Sequence, residues 1–302
     1  MVRHLHDHAG APAGHVHRPG GPGAERKIVW TMLLTGGFMV VEVVGALVSG
    51  SLALLADAGH MATDFAALVL AYAGMRFGRR PADAKRTYGY RRLEVLAAFV
   101  NGIALLALTI WIAVEAIRRL AYPVEVLSGP MMAVAVAGLL VNLAAFAILR
   151  RDASENINLS GALIHVLGDL LGSVATIAAA AVIWLTGWFA IDPILSIFVA
   201  LLIVRSAWVV VHRSGHILLE GTPPELDLAV MTANLAETPG VKSASHVHVW
   251  SLTSGESVAT LHLCLRDGAD AATVLRAVRL RLKDEFGIGH STIEIDFEPG
   301  AR

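Results

Sequence analysis

Charge is scarce in this chain. Asp, Glu, Lys and Arg make up only 16% of 302 residues, hydrophobic residues make up 55%, and the formal net charge is −1. So few charges cannot cover the exterior of a water-soluble domain, and the mean hydropathy of +0.62 agrees. The near-neutral balance leaves no basic footprint for nucleic acid. Cysteine is nearly absent. Cys264 stands alone, which excludes an intrachain disulfide and a site built from several thiolates of one chain. Residues 1–23 have no apolar core, so they do not read as a secretory signal peptide, and the first helix is expected to direct insertion itself.

What is present is apolar and clustered. A helix needs about 20 apolar residues to cross a bilayer. Six such runs are readable, at residues 28–48, 52–77, 93–117, 131–149, 159–184 and 191–211. Arg26, Lys27, Arg79, Arg80, Lys85, Arg86, Arg91, Arg92, Arg150, Arg151 and Arg213 all fall on one side if six spans alternate. The positive-inside rule then places both termini in the cytoplasm, with the protein in the cell membrane, or the inner membrane of a Gram-negative cell. Arg118 and Arg119 depart from the pattern and are expected to snorkel at the outer interface. The organisation expected is a disordered tail over 1–25, a six-helix membrane domain over 26–212 and a cytoplasmic domain over 213–302. The tail carries His4, His6, His8, His15 and His17, which read as a weak zinc-binding tract.

After residue 213 the periodicity changes. Residues 226–237 and 271–286 read as helices, while 241–252, 257–265 and 292–297 alternate as strands. The order αββαβ predicts a small α+β sandwich with its helices on one sheet face.

The chemistry lies in the membrane runs. His60 and Asp64 lie in the second, His165 and Asp169 in the fifth, and no Lys or Arg lies in the core of either. Each pair is spaced i, i+4, so both side chains leave one helix face a turn apart. Two such faces brought together offer two imidazoles and two carboxylates, a tetrahedral set suited to zinc. Any one of these histidines could instead be a buried hydrogen-bonded group; two matched pairs favour a metal. Asp57 is expected at the outer mouth, complementing the helix N-terminus, and Glu42, Asn101 and Asn142 are the other polar residues noted in the runs. No H-E-x-x-H motif occurs, which argues against a metalloenzyme. A metal sensor stays open on the residues alone.

The sequence also resembles the cation diffusion facilitator family, in its zinc-transporting branch. The motifs are SLALLADAGHMATD from Ser51 to Asp64, YGYRRLEVLAA from Tyr88 to Ala98, the stretch His165 to Asp169, and HVWSLTSG from His248 to Gly255. The resemblance implies a homodimer with a metallochaperone-like cytoplasmic domain, exporting zinc against protons by alternating access. Cadmium and cobalt are further candidate cargo. No organic cofactor and no enzymatic activity are expected. The transport site would be His60, Asp64, His165 and Asp169. Zinc is expected as regulatory ligand too, with His246, His248, His262, His290 and Asp296 as candidates in the cytoplasmic domain. Relatives that carry a histidine site in the loop after the second span have histidines where Arg86 and Tyr90 stand here, so that site is not expected. Ser245 occupies another position that relatives fill with histidine, with His246 beside it. A pair between Arg92 and Glu220 is also implied.

Overall fold

The computed structural model describes residues 22–77, 83–149, 157–253 and 255–296, with side chains at most of these positions. The tail histidines, Phe297 and the side chains of Asp64 and His165 lie outside the described residues. The chain divides into two compact units. One holds residues 23–90 and 96–214, and the other holds 91–95 with the residues from 215 onward.

The first unit is built on six long helices: α1 (Pro22–Ser49), α2 (Leu52–Phe77), α3 (Arg92–Ala121), α4 (Ser128–Leu149), α5 (Ile157–Thr186) and α6 (Ile191–Leu218). Among the described residues, four stretches within them are long and apolar enough to cross a membrane: Met32–Ser49, Arg92–Ala121, Val166–Thr186 and Ile191–Leu218. Leucines, valines and tryptophans such as Leu47, Trp184, Leu201 and Trp208 point outward. In water such a surface would aggregate; against lipid tails it costs nothing. Several helices overrun their apolar runs. α6 continues past Val211 through His212, Arg213 and Ser214 to Leu218. Hydrophobicity marks the bilayer, whereas a helix stops only where its capping or backbone changes.

Close helix contacts rely on small residues. A Cβ on Gly59 would meet Leu108 at 2.9 Å, so α2 packs tightly on α3 beside His60. Ala46, Ala53, Ala179 and Ala180 fill the junction of α1, α2 and α5 with Met131 of α4. The turn from α1 to α2 is made by Gly50, whose φ of 72° closes α1 in the left-handed conformation that glycine adopts without penalty.

The second unit contains α7 (Leu228–Ala236), β1 (Val241–Thr253), β2 (Glu256–Leu265), α8 (Ala271–Phe286) and β3 (His290–Asp296). The sheet order is β1-β2-β3, with β1 and β2 antiparallel and β2 and β3 parallel. Val274, Val278 and Leu282 form a stripe along α8 that is buried with Met231 and Leu235 of α7 and Ala259, Leu261 and Leu263 of β2. Each of the larger side chains contributes about 2 kcal/mol of burial. Alternation along β2 then turns Thr260, His262 and Cys264 to the opposite face. α7 is shorter than residues 226–237, because Asp227 caps it by accepting hydrogen bonds from Ala229 N at 2.8 Å and Val230 N at 3.2 Å. β3 begins two residues earlier than its alternation indicated, in register with β2 from Val258 opposite His290. Within the same unit Arg92 pairs with Glu220, Nη2 to Oε1 at 3.0 Å, and Arg91 pairs with Glu256.

Candidate functional site

α2 and α5 each bring one member of a predicted pair to a common cavity. His60 Nε2 stands 3.7 Å from Asp169 Oδ1, both side chains half-buried. The cavity, of about 510 Å³, is lined by Ala53, Asp57 and His60 of α2, by Asp169, Gly172 and Thr176 of α5, and by Phe198, Leu202 and Ser206 of α6, among others. Its walls are mainly apolar, and its ionisable lining residues are His60, Asp57 and Asp169. Gly172 stands one turn after Gly168 on α5. A Cβ on it would come within 4.0 Å of Asp57 Oδ1, so the backbone of α5 approaches the carboxylates closely. Asp64 lies one turn beyond His60, and His165 one turn before Asp169.

Asp57 lines the cavity, near the carboxyl of Glu42 from α1, which is 3% exposed. The N-terminus of α2 is served by Asp192 of α6, which sequence reasoning missed. Asp192 is fully buried and accepts hydrogen bonds from Ser51 Oγ, from Leu52 N at 2.8 Å and from Ala53 N at 3.3 Å. Asp192 stands in the first turn of its own helix, just before Pro193, and its partners are some 140 residues away. Arg119 has partners on its own helix and on the turn after α1. Its Nε lies 3.1 Å from Glu115 Oε1 and its guanidinium donates to Gly50 O.

On the outer face of the second unit's sheet a further cluster forms. His262 Nδ1 is 3.0 Å from Asp296 Oδ2, and His262 Nε2 is 3.5 Å from Glu294 Oε2. The three offer ligand atoms all within 4.8 Å of one another. Glu294 was not anticipated; parallel pairing sets it directly beside His262. His246 joins at the edge, its ring centroid 5.0 Å from that of His262. It does so through a break in β1. Ser245 pairs with His262 and His248 with Thr260, while His246 takes φ 47° in the bulge between them. His246 and His248 therefore do not alternate along one regular strand. His248 stands opposite Thr260 outside the cluster. His290 is four residues before Glu294, about 13 Å along the strand, and lines a separate groove with Arg276, Arg279 and Lys283. Arg86 and Tyr90 contact each other, the guanidinium 4.5 Å from the ring centroid and Nη1 donating to the phenol oxygen at 2.8 Å.

Two family models match. Residues 28–219 fit the cation efflux transmembrane domain, and residues 223–298 fit the cytoplasmic domain of cation efflux proteins. The chain belongs to the cation efflux, or cation diffusion facilitator, family. It is a multi-pass membrane protein of a transporter family, with a helical membrane domain and an α+β domain of the cytoplasmic type. The zinc transporter ZitB of Escherichia coli is 46% identical over 99% of this chain and 94% of its own length. The metal cation efflux system protein CzcD of Cupriavidus metallidurans is 41% identical, covering 95% and 91%. A cadmium, cobalt and zinc/H(+)-K(+) antiporter of Bacillus velezensis is 36% identical, covering 94% and 92%. The solved metal-bound C-terminal domain of the CzcD transporter is 36% identical over 24% of this chain and all of its own, with a TM-score of 0.23.

Proposed function

We propose that this cation efflux protein exports zinc from the cytoplasm in exchange for protons, by alternating access through His60, Asp64, His165 and Asp169. The observation that carries the reading is the 3.7 Å approach of His60 Nε2 to Asp169 Oδ1. It brings together one member of each i, i+4 pair, and the sequence spacing sets Asp64 and His165 one turn from them. The set is two nitrogens and two oxygens, which a tetrahedral zinc ion accepts and which closes the coordination shell against hydrolytic chemistry. Zinc is named as the cargo of the relatives in E. coli and B. velezensis, and the latter is named as exchanging it for protons and potassium.

The ligand chemistry supplies the coupling. Imidazole binds metal only when neutral and carboxylate only when ionised, so metal and protons compete for the same atoms. On the cytoplasmic side zinc displaces protons. Once the site faces outward, external protons displace zinc. In this reading all six long helices cross the bilayer with both termini in the cytoplasm, and two copies assemble as a homodimer. A regulatory zinc would be held by His262, Asp296 and Glu294, with His246 beside them. His165→Ala and Asp169→Ala test the site. Each should cut zinc uptake into reconstituted vesicles at least tenfold, while the protein still inserts and elutes like the wild type. Wild-type uptake by either variant would rule the site out.

A further inference from the structure

Helix α2 carries His60 and Asp57, yet it starts immediately after a tight turn, where four backbone amides need partners. All four have them. Ser51 N donates to Ser49 Oγ at 3.2 Å, Leu52 N and Ala53 N donate to Asp192, and Leu54 N donates to Ser51 Oγ at 3.1 Å. Ser51 Oγ in turn donates to Asp192. The capping group of α2 is thus split between its own serine and a carboxylate of α6. Asp192 and Ser196 are 0% exposed and Ser51 is 2% exposed. Ser196 Oγ donates to Asp192 O at 2.7 Å, which holds the first turn of α6 in place.

The arrangement bears on the cavity. Ala53, two residues after Ser51, and Leu195, three after Asp192, both line it. His60 follows Leu52 by eight residues, about 12 Å along the helix. We propose that Asp192 is a positioning residue for the cation site: by accepting the first amides of α2, it fixes α2 to α6 at one end of the cavity and so sets where His60 and Asp57 stand relative to α5. The proposal rests on the transport site described above. Opening this clamp would strand a buried carboxylate and two helix amides without partners, since no water reaches them.

Asp192→Asn tests it, with Ser51→Ala as the milder variant. Asparagine keeps one acceptor oxygen but turns an NH2 group toward donors. Ser51→Ala removes the hydroxyl bridge and the acceptor of Leu54 N, and leaves both Asp192 oxygens facing Leu52 N and Ala53 N. Two readouts are used on full-length protein in lipid. Hydrogen exchange over residues 52–60 reads the clamp without reference to transport; it should quicken at least tenfold in Asp192→Asn and less in Ser51→Ala. Zinc uptake reads the positioning; KM should rise severalfold in the same order, at equal amounts of inserted protein. A merely structural loss would lower the maximal rate and leave KM unchanged. Unchanged exchange in both variants, or faster exchange with KM within twofold of wild type, would overturn the proposal. Failure of the wild type to take up zinc would count against the transport reading, and the exchange data would still decide whether the clamp exists.

Discussion

At the scale of single residues, the geometry argues for selectivity. His60 presents an imidazole nitrogen to the cavity within 3.7 Å of an Asp169 oxygen. Zinc accepts such mixed ligands at about 2.0–2.2 Å, whereas magnesium and manganese prefer six oxygen-rich ligands. His60→Asp exchanges a ring for a shorter anionic arm and leaves a wider site. The account predicts that the zinc-to-cadmium uptake ratio falls by roughly fivefold, equivalent to about 1 kcal/mol of discrimination. An unchanged ratio in an active His60→Asp protein would mean that another residue sets the preference. His60 and Asp169 were legible from spacing alone, because charged groups in apolar helices are rare and i, i+4 pairs share a face. Asp192 and Glu294 were not. Asp192 acts on amides of a helix 140 residues away, and Glu294 reaches His262 only through a parallel register that no local pattern encodes.

At the scale of elements, capping decides where helices begin and how they respond to acid. The membrane helices were readable from apolar runs, but their ends were not, since polar residues such as His212 and Arg213 continue α6. α8 matched its amphipathic stripe over Ala271–Phe286, with Asp270 before it and Gly287, φ 68°, after it. The Thr273 hydroxyl and amide both donate to Asp270, and these bonds hold its carboxyl below the ordinary value of 3.8. A depressed folded-state value means that the cap stabilises α8 fully above the unfolded value of about 3.8 and loses that contribution as pH falls through the lower folded value. Amide exchange in the first turn of α8 should therefore quicken, beyond its intrinsic pH dependence, as pH falls below about 4. In Asp270→Asn, which has no titrating cap, that extra change should vanish. Identical profiles for the two proteins would remove Asp270 from the acid response. The pair between Arg92 and Glu220 also belongs to this scale. The family resemblance anticipated it, whereas the neighbouring pair of Arg91 with Glu256 joins the start of α3 to the β1–β2 turn and had no sequence signal.

At the scale of the whole molecule, composition gave the membrane and the change of periodicity near residue 213 gave a second, α+β unit. The two family models divide the chain in nearly the same place, ending at 219 and resuming at 223. Neither composition nor periodicity reports coupling between zinc and protons, because coupling is a property of a cycle and not of one arrangement of atoms. In the proposed reading coupling follows from the ligand types, since imidazole and carboxylate cannot hold a proton and a metal ion at one atom. The most direct test uses purified protein in sealed vesicles with a trapped pH dye and a zinc indicator. Zinc added outside should enter and drive protons out, so the lumen turns alkaline in step with zinc influx, and an acid lumen should accelerate the uptake. Asp169→Ala should abolish both signals together. Zinc entry with no accompanying proton movement, or coupled exchange that survives in Asp169→Ala, would contradict the account.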